Sequence, residues 1–188
     1  EFSLEQVRKL TRTKLPPLHS FLRFFGSLQI RNRATLGGNI ASASPIGDTI
    51  PLLFAYKAIL IATSLTTTRR IPIETFITGY HRNMLEEDEI LTAVEIRVPP
   101  DGCRIGALKV SKRMELDIST VSCGYRLHLK AGKTVEIILA FGGMAPVVKR
   151  AFKTEDFLIG KPWTHEVILE AMPHLADEFT PIGDARAG

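Results

Sequence analysis

The chain has 188 residues, 45% hydrophobic and 23% charged, with a formal net charge of +4. That is enough for one large domain or two small ones around a hydrophobic core, with the make-up of a soluble globular protein. No apolar run approaches the ~20 residues a bilayer-spanning helix requires, which excludes such a helix. The basic residues gather at Arg31-Asn32-Arg33, Arg69-Arg70 and Lys109 to Arg113 without any nucleic-acid recognition module, so they read as solvated charge or a counter-charge for a small anion. Cys103 and Cys123 form no C-x-x-C, which argues against an iron–sulfur cluster or zinc ribbon held by this chain alone. Both read as reduced thiols of a cytoplasmic protein. The five histidines lack metal-ligand spacing, and no G-x-S-x-G elbow supports hydrolysis. Because the chain opens at Glu1 rather than at a methionine, a cut or processed product is expected.

Ser3 and Gln6 form a capping-box pattern ahead of Leu4, Val7 and Leu10 at helical spacing. Pro16-Pro17 stops that helix and opens another, with Leu18, Phe21, Leu22 and Phe25 as its apolar stripe and Gly26 at its end. Gln29 to Gly47 shows no sustained period and reads as a long, ordered, functional loop. Asp48 is placed to cap a helix through Leu52, Leu53 and Ala55, with Pro51 in its first turn. Ala58–Thr63 and Thr67–Ile73 predict a strand pair, followed by a helical turn at Glu74–Ile77. The acidic turn Glu86-Glu87-Asp88 marks a boundary, and the chain divides near residue 85 into parts 1–84 and 85–188. Beyond it Ile90–Val98, Ile105–Ser111, Val121–Lys130 and Thr134–Ala140 are strand-like, with Ala131-Gly132 closing a hairpin. The tail is helical at Thr154–Leu158 and again from Thr164 until Pro173 strains it. The fold class is α+β.

The stretch Gln29 to Asp48, Q-I-R-N-R-A-T-L-G-G-N-I-A-S-A-S-P-I-G-D, carries the chemistry. Gly37-Gly38 permits positive φ and close approach of the backbone to a ligand. Consecutive N–H groups there would suit a pyrophosphate. Thr35, Asn39, Ser42 and Ser44 add small uncharged donors, and Arg31 or Arg33 could balance ligand charge. On chemistry alone a second reading stays open, a tight surface turn with a helix cap at Asp48. The pattern is not G-x-G-x-x-G after a strand, so a Rossmann site is unsupported.

The same twenty residues resemble the flavin-binding segment of the xanthine dehydrogenase family, the molybdenum-containing hydroxylases. Later stretches keep that family's order: R-I-P-I-E-T-F-I-T-G-Y at Arg70 to Tyr80, L-E-E-D-E-I-L at Leu85 to Leu91, the loop Lys109 to Asp117, and F-G-G-M-A-P at Phe141 to Pro146. The resemblance implies the second subdomain of a vanillyl-alcohol-oxidase-like (PCMH-type) FAD-binding domain. A small antiparallel sheet with helices, of the CO dehydrogenase flavoprotein C-terminal type, would follow it. It also implies electron flow from a molybdopterin centre through 2Fe-2S clusters, both held elsewhere in a hetero-oligomer, to FAD and then to NAD.

Carried over by motif, Phe25 and Gly26 would approach the flavin from a helix end. Thr35, Leu36, Gly37, Gly38, Asn39 and Ser42 would lie along the dinucleotide. Asp48 would sit near the ribityl or pyrophosphate region, Leu91 against the isoalloxazine ring, and Lys109 at its polar edge. Two features depart from the family pattern. Its glycine-rich front subdomain does not precede Glu1, and Gly47 stands where relatives carry a hydroxyl. Two rivals follow: an assembly module that does not hold FAD by itself, and a flavin oxidase of the vanillyl-alcohol type. The second lacks an evident His or Cys attachment motif.

Overall fold

The computed structural model describes residues 2–113 and 116–181. Helix α1 (Leu4–Leu10) opens on the expected capping box. The Ser3 N–H donates to Gln6 Oε1 at 2.8 Å, and the Gln6 N–H to Ser3 Oγ at 3.3 Å. Helix α2 (Pro16–Phe21) starts on its proline pair and runs into a 3₁₀ turn at Leu22–Phe24. Gly26, at φ +49°, then reverses the chain.

The next stretch departs from expectation. Instead of a loop, residues 29–47 contribute to two short helices, α3 (Leu28–Arg33) and α4 (Leu36–Ala41). Ser27 and Thr35 cap them, and α4 buries Leu36 and Ile40 one turn apart. The glycine pair weakens helix propensity by about 1 kcal/mol per residue. Capping and burial outweigh that cost, and periodicity in so small a segment was too brief to register. Helix α5 (Thr49–Ala55) follows, with every residue buried.

Strands β1 (Ile59–Thr63) and β2 (Thr68–Pro72) pair antiparallel, as expected, and α6 (Ile73–Phe76) supplies the helical turn. A small hairpin of β3 (Ile77–Gly79) and β4 (Arg82–Asn83) comes next. Strand β5 (Ile90–Glu95) lies beyond residue 85 yet pairs with β1, giving a sheet in the order β2-β1-β5.

A second antiparallel sheet has the order β6-β7-β8-β9, built from β6 (Cys103–Val110), β7 (Val121–Lys130), β8 (Lys133–Gly142) and β9 (Lys149–Arg150). Ala131 and Gly132, at φ +49° and +74°, make the expected tight hairpin between β7 and β8. Helices α7 (Phe152–Leu158) and α8 (His165–Ala176) complete the fold. Helix α8 continues through Pro173, whose lost hydrogen bond falls on an exposed turn where water can serve the freed carbonyl.

One core unites both sheets: Leu4, Leu18, Ile40, Leu53, Leu60 and Phe76 share it with Ala140 and Val148. Leu127, Ile137, Leu158 and Ala171 form a smaller cluster beneath the last two helices. Among the described residues no helix is long and apolar enough to cross a membrane.

Candidate functional site

Thr35 organises the first wall of the site. Its hydroxyl caps α4, accepting the Gly38 N–H at 3.0 Å. Gly37 and Gly38 are therefore helical, and neither adopts the positive φ expected of them. Their value lies in what they lack. Leu36 and Ile40 are buried, and Thr35 to Gly38 line a cavity of about 730 Å³ that Leu91 of the adjacent β5 also lines. A Cβ at Gly37 would meet Leu91 only at an ordinary 3.5 Å, so glycine thins this wall rather than relieving a clash. Leu15, Leu18 and Val94 make the groove largely apolar.

Asn39 and Ser42 do not present free side chains to that groove. Asn39 Oδ1 accepts the Thr49 hydroxyl at 2.6 Å, and Ser42 Oγ donates to the Asn39 carbonyl at 2.7 Å. Asn39 is thus a tie between α4 and the start of α5. The β3–β4 hairpin fastens the other end of α4, with His81 Nδ1 2.8 Å from the Ser42 carbonyl and Asn83 Nδ2 donating to the Ala41 carbonyl at 2.8 Å.

Asp48 occupies the N-cap position of α5 without capping it. Its own backbone is helical (φ −55°, ψ −32°), and its side chain makes no capping bond. Instead its Oδ2 accepts Lys109 Nζ at 2.7 Å, while the Ser119 hydroxyl donates to Oδ1. The expected cap fails because a buried carboxylate is better served by an ammonium and a hydroxyl than by one amide. Lys109 spends its other donors on protein carbonyls, Asp117 at 2.9 Å and Phe24 at 3.5 Å. Both partners of the pair are close to buried, with side-chain exposures of 12% and 11%. Sequence reasoning missed Ser119; only the fold shows that the chain after Asp117 returns beneath Asp48.

Arg31 also departs from expectation. It does not offer its charge to a ligand. Nε donates to Glu5 at 3.0 Å, and Nη1 to the carbonyls of Arg23, Phe25 and Gly26 at 3.2, 3.2 and 3.1 Å. Glu5 is also held by Arg8, and Arg8 first and Arg31 second bring its carboxyl down to about 2. Arg31 therefore fixes the turn that bears Phe25 and Gly26; Arg33 stays exposed. Phe25 packs partly against the core, and Gly26 borders a separate cavity of about 260 Å³ with Phe24 and Leu116. A larger groove of about 870 Å³ runs between α2 and β6, past Phe21, Lys109 and Tyr125.

The fold thus brings Thr35, Leu36, Gly37, Gly38 and Leu91 together in one groove, and Asp48 and Lys109 into one ion pair. The Asn39–Thr49 bond connects the two groups. The arrangement offers an apolar groove and, tied to it through the Asn39–Thr49 bond, a carboxylate paired with an ammonium.

Xanthine dehydrogenase/oxidase of Gallus gallus is 39% identical over 161 residues, 84% of this chain and 12% of that protein. Nicotinate hydroxylase of Emericella nidulans is 37% identical over 182 residues, 94% of this chain and 14% of that protein. The chain spans about an eighth of the length of these curated relatives. A carbon monoxide dehydrogenase structure from Hydrogenophaga pseudoflava superposes with a TM-score of 0.92 at 25% identity, covering 99% of this chain and 65% of that one. A quinoline 2-oxidoreductase structure from Pseudomonas putida has the same fold, with a TM-score of 0.85, 23% identity, and coverage of 98% and 65%. Residues 106–188 match the CO dehydrogenase flavoprotein C-terminal domain, the segment that contributes Lys109 and Ser119. Since residues 1–100, which supply the glycine groove and Asp48, match the FAD binding domain in molybdopterin dehydrogenase, the chain belongs to that family.

Proposed function

We propose that this chain holds FAD as the flavin part of a xanthine-dehydrogenase-like molybdenum hydroxylase in the cytoplasm. Electrons would arrive from 2Fe-2S clusters and a molybdopterin centre on other domains or subunits, and leave to NAD. The observation that carries the reading is the groove formed by Thr35–Gly38 and Leu91, joined through Asn39–Thr49 to the Asp48–Lys109 pair. Its chemistry suits the cofactor. Apolar walls accept a flat ring system, and bare glycine backbone leaves room for a dinucleotide chain. An ionised carboxylate accepts hydrogen bonds only, which favours ribityl hydroxyls beside Asp48 over a like-charged pyrophosphate.

FAD supplies the two-electron chemistry when bound, and the protein supplies position and charge. Leu91 gives an apolar surface for the ring. Asp48 receives hydroxyl donors. Lys109, with its donors engaged by Asp48, Asp117 and Phe24, keeps the carboxylate compensated and holds three chain segments at the flavin's polar edge. Arg31 braces the turn that bears Phe25 and Gly26, and in this reading the turn approaches the flavin from the helix end.

The test is titration of the chain and of its full-length parent with FAD. The parent should be yellow and bind stoichiometrically. If a front subdomain grips the pyrophosphate, this chain alone should bind about a hundredfold more weakly, the loss of two or three charge-assisted hydrogen bonds. A parent that purifies colourless and takes up no FAD would overturn the reading. A second reading, an assembly module whose groove is filled by protein, is favoured by the exposure of Phe2 and Ile90 at the groove, 62% and 66%. It predicts a folded parent without a flavin absorption band.

A further inference from the structure

Ser119 is 1% exposed, so it cannot touch a ligand, yet its hydroxyl donates to Asp48, the carboxylate assigned above to the flavin's hydroxyl groups. It lies where the chain returns from the loop after β6 to enter β7. The base of that loop is closed by the Thr120 N–H donating to the Val110 carbonyl at 2.8 Å. Ser119 therefore stands on rigid backbone. Asp48 begins α5, whose residues are all buried, so its backbone is equally fixed.

Between these two anchors the carboxylate's remaining freedom is rotation of its side chain about the Cα–Cβ and Cβ–Cγ bonds. Lys109 restrains Oδ2 and is itself held by the Asp117 and Phe24 carbonyls without help from Ser119. Among the described residues, Ser119 alone restrains Oδ1. Take its hydroxyl away and the carboxylate can pivot about the bond to Lys109, carrying its acceptor lone pairs off any fixed direction. A donor set on each oxygen is what turns a buried charge into a directional acceptor.

We infer that Ser119 is a positioning residue for the flavin site, acting through Asp48 by locking the carboxylate in the orientation that receives the ligand's hydroxyl groups. The inference rests on the reading that Asp48 faces FAD. Because the effect passes through one other residue, it predicts a pattern that a general packing role would not produce.

The experiment is a double-mutant cycle in the full-length protein, stripped of flavin and titrated with FAD by fluorescence quenching. Ser119→Ala should weaken FAD about tenfold, one charge-assisted hydrogen bond's worth of order. Ser119→Thr, which keeps the hydroxyl, should stay near wild type. Asp48→Ala, which removes the acceptor itself, should weaken binding at least as much as Ser119→Ala. Adding Ser119→Ala to Asp48→Ala should then change affinity by no more than about twofold, since the group through which Ser119 acts has gone. Wild-type affinity in Ser119→Ala would overturn the inference, as would a further full tenfold loss on the Asp48→Ala background. If Ser119→Ala does not fold, Ser119→Cys carries the same cycle with a weaker donor and must show the same non-additivity. An unmutated protein that binds no FAD would sink the functional reading and this inference with it. Failure of the inference alone shows only in the variants.

Discussion

The Pro51 carbonyl lies directly against Gly124: a Cβ built on that glycine would fall 2.0 Å from the carbonyl oxygen. Helix α5 rests on bare backbone of β7 at this point, which sets how deeply Asp48, at the head of that helix, sits relative to Lys109 on the neighbouring strand. Gly124→Ala forces backbone apart rather than a flexible side chain. Overpacking of this kind costs about 1–3 kcal/mol. Chemical denaturation should show a stability loss at or above that range, accompanied by weaker FAD binding as the Asp48–Lys109 contact shifts. Unchanged stability would mean that α5 does not seat on β7 as described.

Lys109→Met leaves Asp48 buried opposite Ser119 alone. Removing one partner of a buried ion pair typically costs about 3–5 kcal/mol, because the remaining charge is uncompensated. The variant should lose thermal stability and FAD affinity together. An isolated ammonium at the flavin edge would instead predict mainly a lowered two-electron potential, by on the order of 30 mV. Its ion pair with Asp48 cancels most of that field, so the potential should move less and affinity more. Adding Asp48→Asn to Lys109→Met should recover part of the lost stability in a melting experiment. A stable, fully flavinated Lys109→Met would show that the pair is dispensable.

Gly38→Val tests the groove wall. The position is helical, so no positive φ resists the change, although a Cβ would sit 3.0 Å from the Thr35 hydroxyl and strain that cap slightly. The branched side chain would project where α4 lines the cavity. Circular dichroism and melting should stay near wild type, within the ~1 kcal/mol expected at an exposed helical site. Flavin absorbance of the parent protein should be lost. Retained flavin would place the dinucleotide elsewhere.

Much of this site was legible in the sequence, but not its internal wiring. The Gly-Gly segment and Asp48 stand out as residues, and the Ser3–Gln6 box and the Ala131-Gly132 hairpin are local patterns that the structure repeats. What stayed hidden was decided by contacts between residues far apart in the chain. Arg31 looked like a ligand counter-charge because nothing local shows that Glu5, twenty-six positions away, will claim it. Asp48 looked like a helix cap because its competing donors, Lys109 and Ser119, lie sixty-one and seventy-one positions on. The helices at Leu28–Arg33 and Leu36–Ala41 are each six residues long, too short for a period to emerge and held by caps and burial instead.

Two carboxyls give the fold an acid limit. Glu5, held by Arg8 and Arg31, and Glu89, held first by Arg69 and then by the Glu86 N–H, titrate at about 2 instead of the ordinary 4.5. Their folded values lie below the unfolded ones, so the native state binds fewer protons between these limits. Stability from both pairs is therefore complete above about pH 4.5 and drains away as the pH falls towards 2. Melting temperatures measured across that window should fall steeply, and Glu5→Gln with Glu89→Gln should flatten the slope. An equal slope in the double variant would assign the acid sensitivity to other groups.

The shared core has a consequence for how the chain could be cut. Residues 97–102 form a mostly exposed connector between β5 and β6, whereas Ala140 and Val148 are packed among side chains from the first half. Arg150 reaches back as well, donating to Glu74 at 2.8 Å. A protease nick in the connector would therefore leave two pieces still clasped together, and the halves, expressed as separate polypeptides, should find each other and rebuild the Asp48–Lys109 pair. Evolution could move a gene boundary through this connector without dismantling the site, because covalent continuity there contributes only the modest entropy of tethering two surfaces that already fit.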